Sequence, residues 1–172
     1  MIAKPTVVAL KKADAGEILT LQRAAYITEA QVHDDVLLPP LTQTLRDLLD
    51  ELASPDVTAY GIRDGARLVA AVRMRVEGRV SHVGRLVVAP DRQGNGLGSV
   101  LLRAVEFLVP ESVAEMRLFT GEHSRSNIRL CERFGYREIE RTPAGAHQLV
   151  HLAKALDRPA TVSGDKELPE YI

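Results

Sequence analysis

The chain has 172 residues, 45% of them hydrophobic and 26% charged, with a formal net charge of −1. That is the size and composition of one globular domain with a sizeable core, without the basic excess of a nucleic-acid binder or any apolar run near the ~20 residues of a membrane helix. Cys131 is the one cysteine, which excludes an internal disulfide, argues against a metal site, and suits a reducing compartment. The first residues, Met1-Ile2-Ala3-Lys4-Pro5, carry no apolar export segment, so the expected location is the cytoplasm.

In chain order, the β-branched residues 6–10 predict a first strand, and Asp14 predicts the cap of a helix carrying Ile18, Leu21, Ala25 and Thr28 on one face. Pro39-Pro40 should break the chain. Thr42 should open a second helix with Leu45, Leu48, Leu49 and Leu52 at i, i+3, i+4 and i+7 spacing. Residues 57–63, 67–76 and 79–88 read as a three-strand meander turning at Asp64-Gly65 and Glu77-Gly78 and stopped by Ala89-Pro90. Leu97, Val100, Leu101, Ala104, Val105 and Leu108 then form the clearest helical stripe, closed by Pro110. A short strand at 117–120 follows, then a helix from a Ser126 or Asn127 cap to Phe134 with Gly135 at its end. Two strands near 136–141 and 147–153 are joined by Thr142-Pro143-Ala144-Gly145. The expected architecture is α/β in three layers, with a mixed central sheet of six to seven strands flanked by about four helices. One domain should span residues 1–156, with a polar tail at 157–172.

The most telling segment is Gln93-Gly94-Asn95-Gly96-Leu97-Gly98, with Ser99 following it, between a strand and a helix. Glycines let the backbone approach an anion, and a helix start offers unpaired N–H groups and the positive end of a dipole. A P-loop would need Gly-Lys-Ser/Thr, and Gly98 is followed by Ser99 with no lysine. A dinucleotide fingerprint needs G-x-G-x-x-G on the first βα unit, whereas this G-x-G-x-G comes after several strands.

Leu86-Val87-Val88, followed by Ala89-Pro90-Asp91-Arg92 and the glycine turn, resembles the acetyl-CoA motif of the GNAT superfamily: Gln93, Gly96 and Gly98 fill its Gln/Arg-x-x-Gly-x-Gly/Ala positions. Residues 127–136 resemble the family's second signature, Asn-x-x-x-x-x-Tyr-x-x-x-Gly-Phe, and the likeness covers roughly 6–155. The resemblance implies an N-acetyltransferase that moves an acetyl group from acetyl-CoA to a primary amine, on a small molecule or peptide, by direct attack in a ternary complex. No metal is implied, and a homodimer is compatible with it. A non-catalytic acyl-CoA sensor of the same fold is the alternative. The amides of Gln93 to Gly98 would hold the pyrophosphate, with Leu86, Val87 and Val88 alongside the pantetheine and a Val88-region amide facing the thioester carbonyl. Asn127 would hydrogen-bond the pantetheine or simply cap its helix.

An attacking amine must lose a proton, so a base is needed. His82 is the first candidate: alternation puts it on the face of Gly84, Leu86 and Val88, and some family members hold a base at this strand position. The other reading is a surface or packed histidine; His123, in a later loop, comes second. Cys131 stands where the family's acid tyrosine belongs and is either a thiol acid or a small packed residue. The acidic residues between Glu29 and Asp56 are either a rim that attracts a cationic amine or ordinary solvated helix faces.

Overall fold

The β-branched runs between residues 57 and 88 pair as their turn residues predict. In this computed structural model, which describes residues 5–157, β2 (Val57–Asp64), β3 (Arg67–Glu77) and β4 (Val80–Val88) form an antiparallel meander. Asp64 pairs with Arg67, so the first turn is Gly65-Ala66, one residue later than expected, with Gly65 at φ 59°. β1 (Val7–Leu10) adds antiparallel to β2, and β5 (Glu115–Gly121) lies parallel to β4. β6 (Arg137–Ala144) and β7 (His147–Ala155) complete a seven-stranded sheet of order β1-β2-β3-β4-β5-β7-β6. Pro143 does not end β6 as expected: β6 is an edge strand, where a missing N–H costs no ladder bond, and the turn falls at Gly145-Ala146.

Five helices flank the sheet: α1 (Ala15–His33), α2 (Pro39–Thr42), α3 (Leu45–Ala53), α4 (Leu97–Leu108) and α5 (Arg125–Arg133). Pro39-Pro40 opens the short α2 rather than breaking the chain, because prolines in a first turn have no needed N–H to lose. The cap of α3 is Thr44, not Thr42. Asp47 three residues on makes Thr44 the better cap: the Thr44 hydroxyl accepts from Asp47 N–H at 3.2 Å, and the Asp47 carboxylate accepts from Thr44 N–H at 2.9 Å. Likewise α5 starts after Ser124, whose carbonyl accepts from Ile128 N–H at 3.0 Å, so neither Ser126 nor Asn127 is its cap. Among the described residues no helix is long and apolar enough to cross a membrane. The expected tail lies outside the described residues apart from Asp157, as does the N-terminal segment up to Lys4.

α4 buries Leu101, Leu102, Ala104 and Val105 against one sheet face, where Val72 and Met74 point. Ile18, Leu21 and Ala25 of α1 and Leu48 of α3 pack on the other. A buried polar network ties this second layer down. Gln22, fully buried, donates to Pro40 O at 2.8 Å and to Gln43 Oε1 at 3.0 Å, and accepts from Arg73 Nη2 at 2.8 Å. Arg73, only 3% exposed, has its Nε 3.2 Å from Glu51 Oε1, and Gln43 donates to Glu51 Oε2 at 2.8 Å. Burial lowers the Arg73 pKa to about 10, with Glu51 working against that shift, so it stays cationic at neutral pH. Glu51→Ala should therefore leave a buried charge unpaired and cost about 3 kcal/mol, the low end of the usual range because Glu51 is partly exposed. Thermal or urea unfolding reads this directly; a loss below about 1 kcal/mol would mean that Arg73 finds water instead.

Candidate active site

The site is built on an irregularity in β4. Ala71 pairs with Val87 and Arg73 with Gly84, so β4 holds one more residue than β3 between these pairs. The extra residue forms a bulge at Arg85, whose φ of 53° is unusual for a residue with a side chain. The bulge also resets the alternation of the strand. His82 and Gly84 share a face with Val87, not with Leu86 and Val88 as regular alternation predicts. Pairing with β5 stops at the same place: only Val80, Ser81 and His82 match Glu115, Met116 and Arg117. Past His82 the strands diverge, and β4 keeps an outer edge without a strand partner among the described residues.

A cavity of ≈ 710 Å³ fills this fork. Arg85, Leu86, Val87 and Val88 form one wall; Phe119, Thr120 and Gly121 of β5 form the facing one. The glycine turn closes its end, contributing Gln93, Gly94, Gly96, Leu97, Gly98 and Ser99. Gly94 and Gly96 sit at φ 79° and 77°, conformations costly for other residues. The first intrahelical bond of α4 runs from Val100 N–H to Gly96 O at 3.1 Å, so the N–H groups of Leu97, Gly98 and Ser99 are free of helix partners. Side chains brace the turn from behind. Gln93 donates to Val88 O at 3.2 Å and Asn95 to Arg92 O at 3.1 Å. Arg92 pairs with Asp64, and Arg67 holds Asp91 in a two-pronged bond at 2.8 and 2.7 Å that brings its carboxyl down to about 2. Asn95 does not line the cavity and instead braces the turn through this bond.

The α1 wall carries groups that sequence reasoning passed over. Tyr26 lines the cavity with Arg85, whose charge acts on it, and burial raises its pKa above the ordinary phenol value, so the hydroxyl keeps its proton. Glu29 crosses to α5, accepting from the Ser124 hydroxyl and from Asn127 Nδ2 at 3.4 Å. Asn127 thus lines the cavity from the third residue of α5. His33 has both ring nitrogens engaged, Nδ1 at 3.0 Å from Glu29 O and Nε2 accepting from His123 N–H at 3.3 Å. Its ring fills the space over Gly121, where a Cβ would collide with it. These contacts join segments about ninety positions apart in the chain, so no local pattern announces them.

His82 lies outside the fork cavity, in a neighbouring depression of ≈ 440 Å³ floored by β3, β4 and β5. Its side chain is 45% exposed and its Nε2 is 3.6 Å from Glu77 Oε2. The two spaces meet at Arg85 and Phe119, which line both. His123, exposed in its loop, lines neither. Cys131 is 4% exposed, packs in the core, and is absent from both linings. Burial pushes its thiol from 9.0 to about 11. Tyr136 is buried too, its hydroxyl donating to Met116 Sδ at 3.7 Å.

The sequence model described as the Acetyltransferase (GNAT) family matches residues 20–136. No curated protein sequence matches the chain. Among solved structures, the ribosomal-protein-S18-alanine N-acetyltransferase from Escherichia coli superposes with a TM-score of 0.73 at 16% identity, covering 96% of this chain and 99% of its own. The PaiA N-acetyltransferase from Thermoplasma acidophilum, in complex with coenzyme A, gives 0.70 at 14% identity over 86% of this chain and 98% of its own. The spermidine N-acetyltransferase from Vibrio cholerae, in complex with CoA and spermine, gives 0.68 at 15% identity, with coverages of 89% and 96%. At these identities the likeness speaks for the fold.

A thiol raised to about 11 is a poor proton donor to an ordinary thiolate with a pKa near ~8.5, because the transfer runs uphill. Cys131→Ala should therefore leave kcat within about twofold while costing roughly 1 kcal/mol of stability. Cys131→Tyr should overpack the core by about 1–3 kcal/mol. Since the folded pKa is raised, the neutral thiol stabilises the fold below pH 9, and that contribution fades as pH climbs towards about 11. Slow alkylation of the native thiol at pH 8, against fast alkylation in denaturant, checks the same burial.

Proposed function

The chain belongs to the GNAT acetyltransferase family, and from that premise we propose that it transfers an acetyl group from acetyl-coenzyme A to a primary amine by direct attack in a ternary complex. The observation that carries this reading is the coincidence of an unpaired β4 edge with a glycine turn whose helix-start N–H groups face the same cavity. Pyrophosphate oxygens would take the amides from Gln93 to Ser99, and the pantetheine arm would extend the sheet along Leu86, Val87 and Val88. Asn127, on the opposite wall, would supply a side-chain amide to the same arm. A main-chain N–H near Val88 would stabilise the oxyanion that forms as the amine adds to the thioester carbon.

The acceptor reaches that carbon from the neighbouring depression, and His82 takes its proton. As the nitrogen lone pair forms the new C–N bond, the N–H proton passes to the imidazole, directly or through one water. The C–S bond then breaks, and the thiolate leaves without a dedicated acid, taking a proton from solvent or from the imidazolium. Open placement in the depression that joins the cavity at Arg85 supports His82 for this role. Glu29 is the rival base because it lines the cavity itself, although Ser124 and Asn127 already occupy its carboxylate. The buried Cys131, with no acid tyrosine in its place, keeps a non-catalytic acyl-CoA sensor as the second reading.

Thiol release from acetyl-CoA, measured across a panel of amines, separates enzyme from sensor: a sensor binds acetyl-CoA without amine-dependent release. Gly96→Asp should abolish acetyl-CoA binding in a folded variant. Gly96→Ala, which adds the backbone strain without the charge, should weaken binding less. Equal binding by all three proteins would remove the turn from cofactor recognition. His82→Ala should lower kcat by roughly 10²–10⁴-fold with acetyl-CoA affinity kept, and the deficit should shrink at high pH, where the amine is already neutral. A full loss in Glu29→Gln with His82→Ala unaffected would move the role to Glu29.

A further inference from the structure

We propose, building on the acetyltransferase reading above, that the acceptor amine carries a carboxylate, which the guanidinium of Arg85 binds together with the Tyr26 hydroxyl. Exposed arginines such as Arg46 and Arg125 have no carboxylate partner, as is ordinary in water. Of the buried and half-buried ones, Arg63 pairs with Asp14 and Glu17, Arg73 with Glu51 and Arg92 with Asp64, whereas Arg75 and Arg85 have none among the described residues. Among the described residues Arg85 has no carboxylate within ion-pair distance, and its Nε is buried without a hydrogen-bond partner. Tyr26 lines the fork cavity with it, a phenol close enough to feel its charge and with a proton to donate.

Position makes this cation relevant to the acceptor. Arg85 lines both the fork cavity and the depression that holds His82, so its side chain stands where the two spaces join. Arg75 lines the same depression without a carboxylate partner, while Arg117 is held by Glu115, Arg73 by Glu51, and Glu140 adds a carboxylate to the lining. At the junction of the two spaces the charge is that of Arg85, and an anion placed there meets a guanidinium. A planar guanidinium offers paired N–H groups in the geometry of a carboxylate. The backbone points the same way. Arg85 occupies a left-handed φ that glycine would hold more cheaply, and such strain persists where the side chain has a task. An amino acid, or another amine with a nearby carboxylate, fits these constraints. A polyamine, which would add only positive charge beside Arg75 and Arg85, does not.

The test compares matched acceptors with acetyl-CoA as donor: amino acids against their primary amides and their decarboxylated amines, with rates expressed per neutral amine. The expected result is a roughly ten- to a hundredfold higher kcat/KM for the carboxylates, carried mainly by KM. In Arg85→Met that ratio should collapse towards one, with acetyl-CoA binding measured on the same sample to establish that the variant is folded. If Arg85→Met does not fold, the wild-type protein still decides: carboxylic acids lacking an amine should compete with the acceptor, and their amides should not. Amides and decarboxylated amines used as well as the amino acids would overturn the proposal while leaving the acetyltransferase reading intact. So would a preference for succinyl-CoA over acetyl-CoA that vanishes in Arg85→Met, since Arg85 would then be reading the acyl donor. A protein that binds acetyl-CoA and acetylates no amine of any class would overturn the transferase reading and this proposal with it.

Discussion

β4 stops pairing with β5 after His82, and at Arg85 it carries one residue more than its partner β3, so its last stretch is set off from both neighbours. The candidate site hangs on that divergence. An unpaired strand edge inside a protein is ordinarily a liability, since its N–H and C=O groups lack partners. Here the edge faces a cavity instead of a neighbouring strand, which is the condition for an extended ligand to complete the sheet. The same bulge presents Arg85 to the junction of the two spaces and hands the chain on to the glycine turn. The turn is held to the β2–β3 hairpin by two ion pairs, Arg67 with Asp91 and Arg92 with Asp64, so its open amides are presented by a fixed frame.

The elements whose pattern is local were legible in the sequence. The α4 stripe, its start at Leu97 and its end at Leu108 match the expectation because periodicity, glycine turn and proline stop agree. Element boundaries decided by competition between neighbouring caps came out shifted, as with Thr44 over Thr42 and Ser124 over Ser126. For Thr44 the deciding partner, Asp47, lies three residues on and was available in the sequence; for Ser124 the side chain is taken up by Glu29, ninety-five positions away, which only the folded chain supplies. The bulge was not legible, since no glycine marks the left-handed residue; Gly84 lies one position too early, and regular alternation carried His82 to the wrong company.

The candidate site divides along the same line. Its glycine turn lies in six consecutive residues, so its place at the start of α4 was readable. The α1 wall, with Tyr26, Glu29 and His33, comes together with α5 and the β5 loop only through tertiary packing. A histidine such as His33 looks the same in sequence as His82, yet one has both nitrogens bonded in the interior and the other stands open in a depression.

The acidic segment shows how far charge counts mislead without partners. Of the carboxylates between Glu29 and Asp56, Glu29 braces α1 to α5, Asp35 accepts from Leu37 N–H at 2.8 Å, Asp47 closes the start of α3, and Glu51 neutralises Arg73. Asp34, Asp50 and Asp56 make no side-chain hydrogen bond or ion pair among the described residues, whereas these four brace the scaffold. The guanidinium of Arg85 is the reverse: a charge brought to the end of a strained strand with no carboxylate beside it. Arg85 is half-buried with its Nε shut away from partners, and an arriving anion would satisfy what the fold leaves open. A net charge of −1 over the whole chain therefore says little about the charge met at one point of a site, because a ligand at Arg85 feels that guanidinium far more than charges paired elsewhere in the fold.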